Sequence, residues 1–170
     1  MKSVKILCIL LLTGLLLFSC GNPAGSQSDS YDYVGTWYMT VETQTIKHIF
    51  EKTTYRVETK YNGDTVYVPY ESGIITLGAS SQITRTPQKI YVYDMDGNGI
   101  PVESSCRILD RDGYVRYLID QTGRSESQAE TKADDWFSPQ VHTFSVSADN
   151  TSITIDKNLF DEATLSSTEP

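Results

Sequence analysis

The chain has 170 residues, 39% of them hydrophobic, and its 22 acidic against 14 basic residues give a net charge of −8 at pH 7. That length gives a single domain enough chain to enclose a core. The acidic balance excludes electrostatic attraction to nucleic acid or to an anionic lipid surface.

Met1 to Lys5 carries two lysines, and Ile6 to Phe18 is an apolar run dominated by leucine and isoleucine. A basic start followed by a short apolar stretch is the pattern of a secretory signal, and the run is shorter than the about 20 residues a bilayer span needs. It ends in Leu17-Phe18-Ser19-Cys20. This junction resembles the lipobox of bacterial lipoproteins, with an aliphatic residue at −3, a small one at −1, and then cysteine. The resemblance implies removal of residues 1–19 and acylation of Cys20, an anchor to which each buried CH₂ contributes roughly 0.8 kcal/mol. It also implies an extracytoplasmic location, with the lipid at Cys20 as the contact with the membrane. Gly21, where some lipoproteins carry an inner-membrane aspartate, points toward the outer membrane. Cleavage takes Lys2 and Lys5 away, leaving 12 basic against 22 acidic residues and a net charge of −10. Cys8 leaves with the signal, so Cys106 is the one free cysteine and the mature chain forms no internal disulfide. Its phase with Val102, Ser104 and Ile108 predicts a buried position on a strand.

Residues 20–32 are small and polar after the cysteine, the composition of a flexible tether. From Tyr33 onward the sequence has a period of two. Trp37, Met39 and Val41 share one face, and Tyr55, Val57, Thr59 and Tyr61 alternate with Thr54, Arg56, Glu58 and Lys60. Further runs rich in Tyr, Val, Ile and Thr cover 46–50, 65–70, 73–77, 81–84, 89–94, 102–109, 114–120, 141–146 and 152–156. Turn residues join them at Asn62-Gly63-Asp64, Asp110-Arg111-Asp112-Gly113 and Ala148-Asp149-Asn150. Between 125 and 138 the rhythm breaks: Ser125 and Gln128 have the spacing of a capping box, which predicts a short helix or ordered loop before Pro139. The segment Leu159–Leu165 reads as a helical turn. Sequential hairpins of this kind predict an all-β, antiparallel up-and-down barrel of about 8–10 strands over residues 33–158, with the helix or loop inserted before the last hairpin and 159–170 as a tail. A two-sheet sandwich is the alternative.

Gly35-Thr36-Trp37 opens the first strand. This G-x-W resembles the start of lipocalins and of bacterial lipocalin-like lipoproteins, and Phe50 to Tyr55 resembles their second hairpin. The resemblance implies that Trp37 closes the bottom of the barrel as a structural residue.

Asp94-Met95-Asp96-Gly97-Asn98-Gly99 is the sharpest local motif. Oxygen ligands at Asp94, Asp96 and Asn98 suit a weak Ca²⁺ site, the one cofactor the sequence suggests. The same residues are ordinary hairpin-turn chemistry, which accounts for all of them. Tyr67, Tyr91 and Tyr117 are candidate ligand contacts among eleven tyrosines, and Trp136, in the longest irregular connection, is a candidate lid or plug for the barrel mouth. His48 and His142 are the only histidines, in strands far apart, and no H-E-x-x-H, G-x-S-x-G or C-x-x-C occurs. The expected role is therefore binding rather than catalysis; a cleft bringing either histidine within hydrogen-bond reach of an acid would reverse that. Two roles suit the pattern: a barrel holding a small hydrophobic ligand, or a filled barrel whose acidic, Tyr-rich exterior contacts an envelope or host protein. An open interior favours the first and a packed one the second.

Replacing Cys20 with serine is expected to move the protein out of the membrane fraction and to abolish processing at that site. A Cys20→Ser chain that remains membrane-bound and is processed normally contradicts the lipobox assignment.

Overall fold

A computed structural model describes residues 31–61, 63–79, 81–156 and 163–170. The signal segment, Cys20, the tether as far as Ser30, Asn62 and the first residues of the expected helical turn at 159 lie outside them. Nine strands are present among the described residues: β1 (Gly35–Val41), β2 (Gln44–Phe50), β3 (Thr54–Tyr61), β4 (Val68–Leu77), β5 (Gln82–Val92), β6 (Arg107–Leu109), β7 (Gln140–Val146), β8 (Ser152–Ile155) and β9 (Ala163–Ser166). Two helices, α1 (Arg111–Thr122) and α2 (Glu126–Phe137), separate β6 from β7. Every strand pairing is antiparallel. β1 to β5 pair in succession, β5 passes to β7, then come β8 and β9, and β9 returns to β1 through Tyr38 and Ser166. The result is a closed, eight-stranded up-and-down barrel with β6 appended to the far end of β5.

The period of two decides which side chains fill the barrel. Trp37, Phe50, Tyr55, Val57, Ile75, Ile83, Phe144, Ile153 and Leu165 are all buried in one cluster. Tyr33, just ahead of β1, is fully buried among them. Its ring meets Phe144 and Phe50 edge-on, with centroids 5.3 and 6.4 Å away, and its hydroxyl donates to the Lys52 carbonyl at 2.9 Å. Trp37 donates its indole N–H to the Tyr33 carbonyl at 2.9 Å. These aromatics occupy the end of the barrel where β1 begins and β2 ends. Gly35 packs closely beside them: a Cβ there would stand 3.2 Å from the Trp37 Nε1, and the indole would have to shift by a few tenths of an ångström.

Two bulges bend the wall. One shifts the β3–β4 register between Val57 and Glu58, and the other shifts β4–β5 between Ser72 and Gly73. At the second, Gly73 faces Pro87 and Ser72 faces Lys89, so Gln88 is the extra residue. Proline has no N–H for a ladder and settles at such a defect. β5 also changes its other partner here, pairing with β7 over Gln82–Arg85 and with β6 over Ile90–Val92.

Several expectations need correction. The run at 114–120 is helical: the Asp110 carboxylate caps α1 by accepting from the Gly113 N–H at 2.8 Å, and Gly123 ends it in the left-handed region at φ 65°. Two caps outweigh the β-prone Tyr, Val and Ile between them. Asp110 to Gly113 is thus a helix start and not a hairpin turn. The insertion at 125–138 is a full helix, α2, with both halves of the Ser125–Gln128 capping box formed. In the run 102–109 only β6 is a strand; Glu103–Ser105 is a 3₁₀ turn, and Cys106 after it is exposed. The chain beyond 158 contributes β9 to the barrel, with Leu165 buried, so the domain extends past the expected boundary. Its strand register against β8 supplies hydrogen bonds that a helical turn at 163–165 would forgo.

Gly73 is the tightest point in the wall. A Cβ there would meet the Thr86 carbonyl oxygen at 2.2 Å, Tyr55 Cε1 at 2.8 Å and Pro87 Cα at 2.9 Å. Gly73→Ala should lower stability by about 1–3 kcal/mol, read as a fall in the urea midpoint at unchanged slope. Gly97→Ala, where nothing lies within 4 Å, should stay within about 0.5 kcal/mol of the parent.

Candidate ligand site inside the barrel

The inward phase of the strands is apolar except at a few positions, and those positions meet. Glu71 on β4 is buried. One of its oxygens, Oε1, accepts the Tyr55 hydroxyl at 2.5 Å and the Arg85 Nη2 at 2.8 Å. The Arg85 guanidinium also lies over the Tyr55 ring, 4.5 Å from its centroid. Arg85 is therefore held by an ion pair and a ring face at once, in a setting where charge-assisted hydrogen bonds are strong. Burial, reinforced by the Glu71 charge, keeps the Tyr55 phenol protonated far above its ordinary range.

Both histidines lie on the inward phase of their strands, near enough to Arg85 for its charge to act on them. His48 sits in register with Trp37 on one side and Val57 on the other, and its ring packs 5.8 Å from Phe50. Burial, followed by the neighbouring Arg85 charge, pulls its pKa down to about 3. His142, in register with Ile83, is buried. Burial and Arg85 lower its pKa too, with Asp156 opposing them. The His142 Nδ1 stands 4.0 Å from the nearer Asp156 oxygen, beyond hydrogen-bond length. Gln140, the register partner of Arg85, stands at the start of β7.

These side chains have unused hydrogen-bonding capacity. Both ring nitrogens of His48, both of His142, the Arg85 Nε and the Gln140 Oε1 are buried without a hydrogen-bond partner among the described residues. Buried polar atoms are nearly always paired with protein or water. An imidazole that stays neutral offers one N–H and one bare nitrogen, whichever tautomer it takes. The lumen therefore presents donors from Arg85 and both histidines beside acceptors from both histidines and Gln140.

The sequence-based candidates lie elsewhere. Tyr67 is on the outer wall between Lys47 and Lys60, each ammonium within 5 Å of its ring, with its hydroxyl on Glu169 at 2.9 Å. Tyr91 lines an outer-wall groove of about 430 Å³ with Ile49, Arg56, Ser72, Ile74 and Lys89. Tyr117 stacks on Tyr114 in α1, under Arg107. Trp136 is on the last turn of α2, not on a loop, and packs against Tyr70 and Tyr114. The four are not brought together. Asp94 pairs with Arg107 at 2.7 Å, and Asp96 accepts the backbone N–H groups of Asn98 and Ile100, each at 2.8 Å. Asn98 is exposed in the same turn. Among the described residues no three His, Cys, Asp or Glu side chains converge on a common point suited to a metal ion.

Sequence reasoning missed Glu71, Arg85, Tyr55 and Gln140, and left the two histidines apart. The signal was parity: His48 is in phase with Ile46 and Phe50, Arg85 with Ile83, and His142 with Phe144. A polar residue on the apolar phase of a barrel strand points inward. No family of proteins, no curated protein and no solved structure matches the chain.

A histidine whose pKa is lower folded than unfolded binds more protons when unfolded, so stability is complete above about pH 6.5 and falls as pH drops. For His48 the window runs from about pH 6.5 to about 3, and His142 acts in the same direction. Between pH 7 and pH 5 the urea midpoint should fall steadily. His48→Leu should make that fall shallower, by up to about 1.4 kcal/mol per pH unit. Stability that is flat across this range would place the imidazoles in water instead.

Proposed function

We propose that this chain is a lipid-anchored protein of a bacterial envelope whose barrel binds a small, largely apolar ligand, with the ligand's polar part at Arg85, His48, His142 and Gln140. One observation carries the reading: on the inward phase of a closed barrel, four side chains that Arg85 links by its charge or its register hold buried polar atoms with no hydrogen-bond partner among the described residues. The aromatic end around Tyr33, Trp37 and Phe50 supplies an apolar floor. The lipobox-like junction at Cys20 and the polar residues after it support an anchored, extracytoplasmic setting. The Gly35-Thr36-Trp37 opening and the up-and-down barrel are in keeping with the lipocalin-like resemblance. Catalysis is not part of the proposal.

A route to the lumen is implied by the strand pairing. Above Arg85, β5 leaves β7 for β6, and the chain crosses that seam through α1 and α2 before Gln140 re-enters the sheet. Trp136, four residues before Gln140, has a buried indole N–H without a partner. In this reading the end of α2 is the gate.

The outer-wall groove favours a second reading, as an interaction module. It is half open, has exposed Ile74, and holds Arg56 and Lys89 on an otherwise acidic protein.

Native mass spectrometry of the protein extracted from its own host distinguishes the two. The lumen reading expects a small-molecule adduct beyond the acyl chains, lost on denaturation and absent from an Arg85→Met chain. A mass accounted for by polypeptide and lipid alone, in protein extracted without denaturation, overturns it.

A further inference from the structure

Resting on the lumen reading, we infer that the barrel selects a ligand with an uncharged head group that both donates and accepts hydrogen bonds, such as a hydroxyl or a primary amide, over a carboxylate or an amine. The argument is a charge balance followed by a hydrogen-bond inventory. Inside the barrel the Arg85 and Glu71 charges cancel each other at 2.8 Å. Tyr55 is a donor already committed to Glu71. The two imidazoles and the Gln140 amide are neutral groups. Asp156 stands 4.0 Å from the His142 Nδ1 but is exposed and hydrated, so an ion entering at Arg85 meets no net buried countercharge, and losing its hydration costs several kcal/mol in such surroundings.

A carboxylate could claim Arg85 only by displacing Glu71, which would leave that buried carboxylate without a cation. An ammonium group would have to approach the Arg85 guanidinium. An uncharged head disturbs neither partner. It can accept from the Arg85 Nε–H and from an imidazole N–H, and donate to a bare imidazole nitrogen or to the Gln140 Oε1. These are the atoms the protein leaves unpaired. The net charge of −8 over the whole chain adds a long-range penalty for anions.

The test uses four probes with the same six-carbon chain: hexan-1-ol, hexanamide, hexanoate and hexylamine. Each is titrated at pH 7.5 into the lipidated full-length mature protein in nanodiscs. The readout is the imidazole nitrogen NMR signals of His48 and His142. The chain has two histidines, so these signals report the lumen and not the bilayer or the outer groove. Hexan-1-ol and hexanamide should move both sets of signals at concentrations at least about tenfold below those needed for hexanoate or hexylamine, the least that several kcal/mol of ion desolvation implies. If hexanoate or hexylamine acts at equal or lower concentration, the inference fails while the lumen reading stands. If none of the four moves either histidine, the lumen reading fails and the inference falls with it.

Discussion

The Arg85–Glu71 pair inside the barrel is the interaction on which the rest of the interior depends. Two strands carry it, β4 and β5, and they are neighbours with a bulge between them. Burying two opposite charges gains little over an apolar pair, but removing one partner of such a pair costs about 3–5 kcal/mol, because the other stays buried and uncompensated. Tyr55 adds a hydrogen bond to Glu71 and a ring beneath Arg85, so three strands are tied at one point. The positive end of the pair then acts on the imidazoles, since Arg85 is the charge that lowers both His48 and His142 beyond the effect of burial. Burial keeps the histidines neutral in the first place, and the position of the arginine reinforces it.

Holding it there requires the wall to bend. Gly73 has no side chain because the Thr86 carbonyl and the Tyr55 ring occupy the space a Cβ would take. Across from it, Pro87 and the extra Gln88 mark the place where β5 gives up one partner strand for another. The bulge at Gly73 thus lies beside the point where β5 changes partners.

Much of the architecture is legible in the sequence, because a barrel strand repeats every two residues and the hairpin turns use residues that tolerate positive φ. Asn150 at φ 56° is one such turn residue, with the Asp149 carboxylate bonding Ser147 and Thr151 beside it. The Ser125–Gln128 box is likewise a local signal that forms as read. What escapes local reading is decided by competition. In α1, Tyr114, Val115, Tyr117 and Ile119 favour a strand, yet Asp110 and Gly123 cap both ends and Leu118 buries against the fold. Cys106 has the right parity for burial, but the Ser105 hydroxyl, bonded to the Val102 carbonyl and the Asp94 N–H, holds a 3₁₀ turn that breaks the alternation just before it. The site escaped for a different reason. Tyrosines suggest binding by their chemistry alone, whereas a lone histidine or arginine in a strand suggests nothing until its phase is compared with its apolar neighbours.

Magnitudes distinguish the barrel interior from the outer wall. Six buried polar atoms on His48, His142, Arg85 and Gln140 lack partners among the described residues. Each such group costs about 1–3 kcal/mol if left bare, and a domain of this size is stable by only about 5–15 kcal/mol in total. Left bare together, these groups would offset most of the stability of the fold, and buried polar atoms of this kind are nearly always paired with protein or with ordered water. The outer groove imposes no such demand, because Lys89, Arg56 and Glu51 on its rim are exposed and hydrated whether or not a partner arrives. A protein that needed only a packed barrel could place leucine or valine at all four positions. The polar groups at these four positions are what the proposed ligand would use, and ordered water satisfies them otherwise.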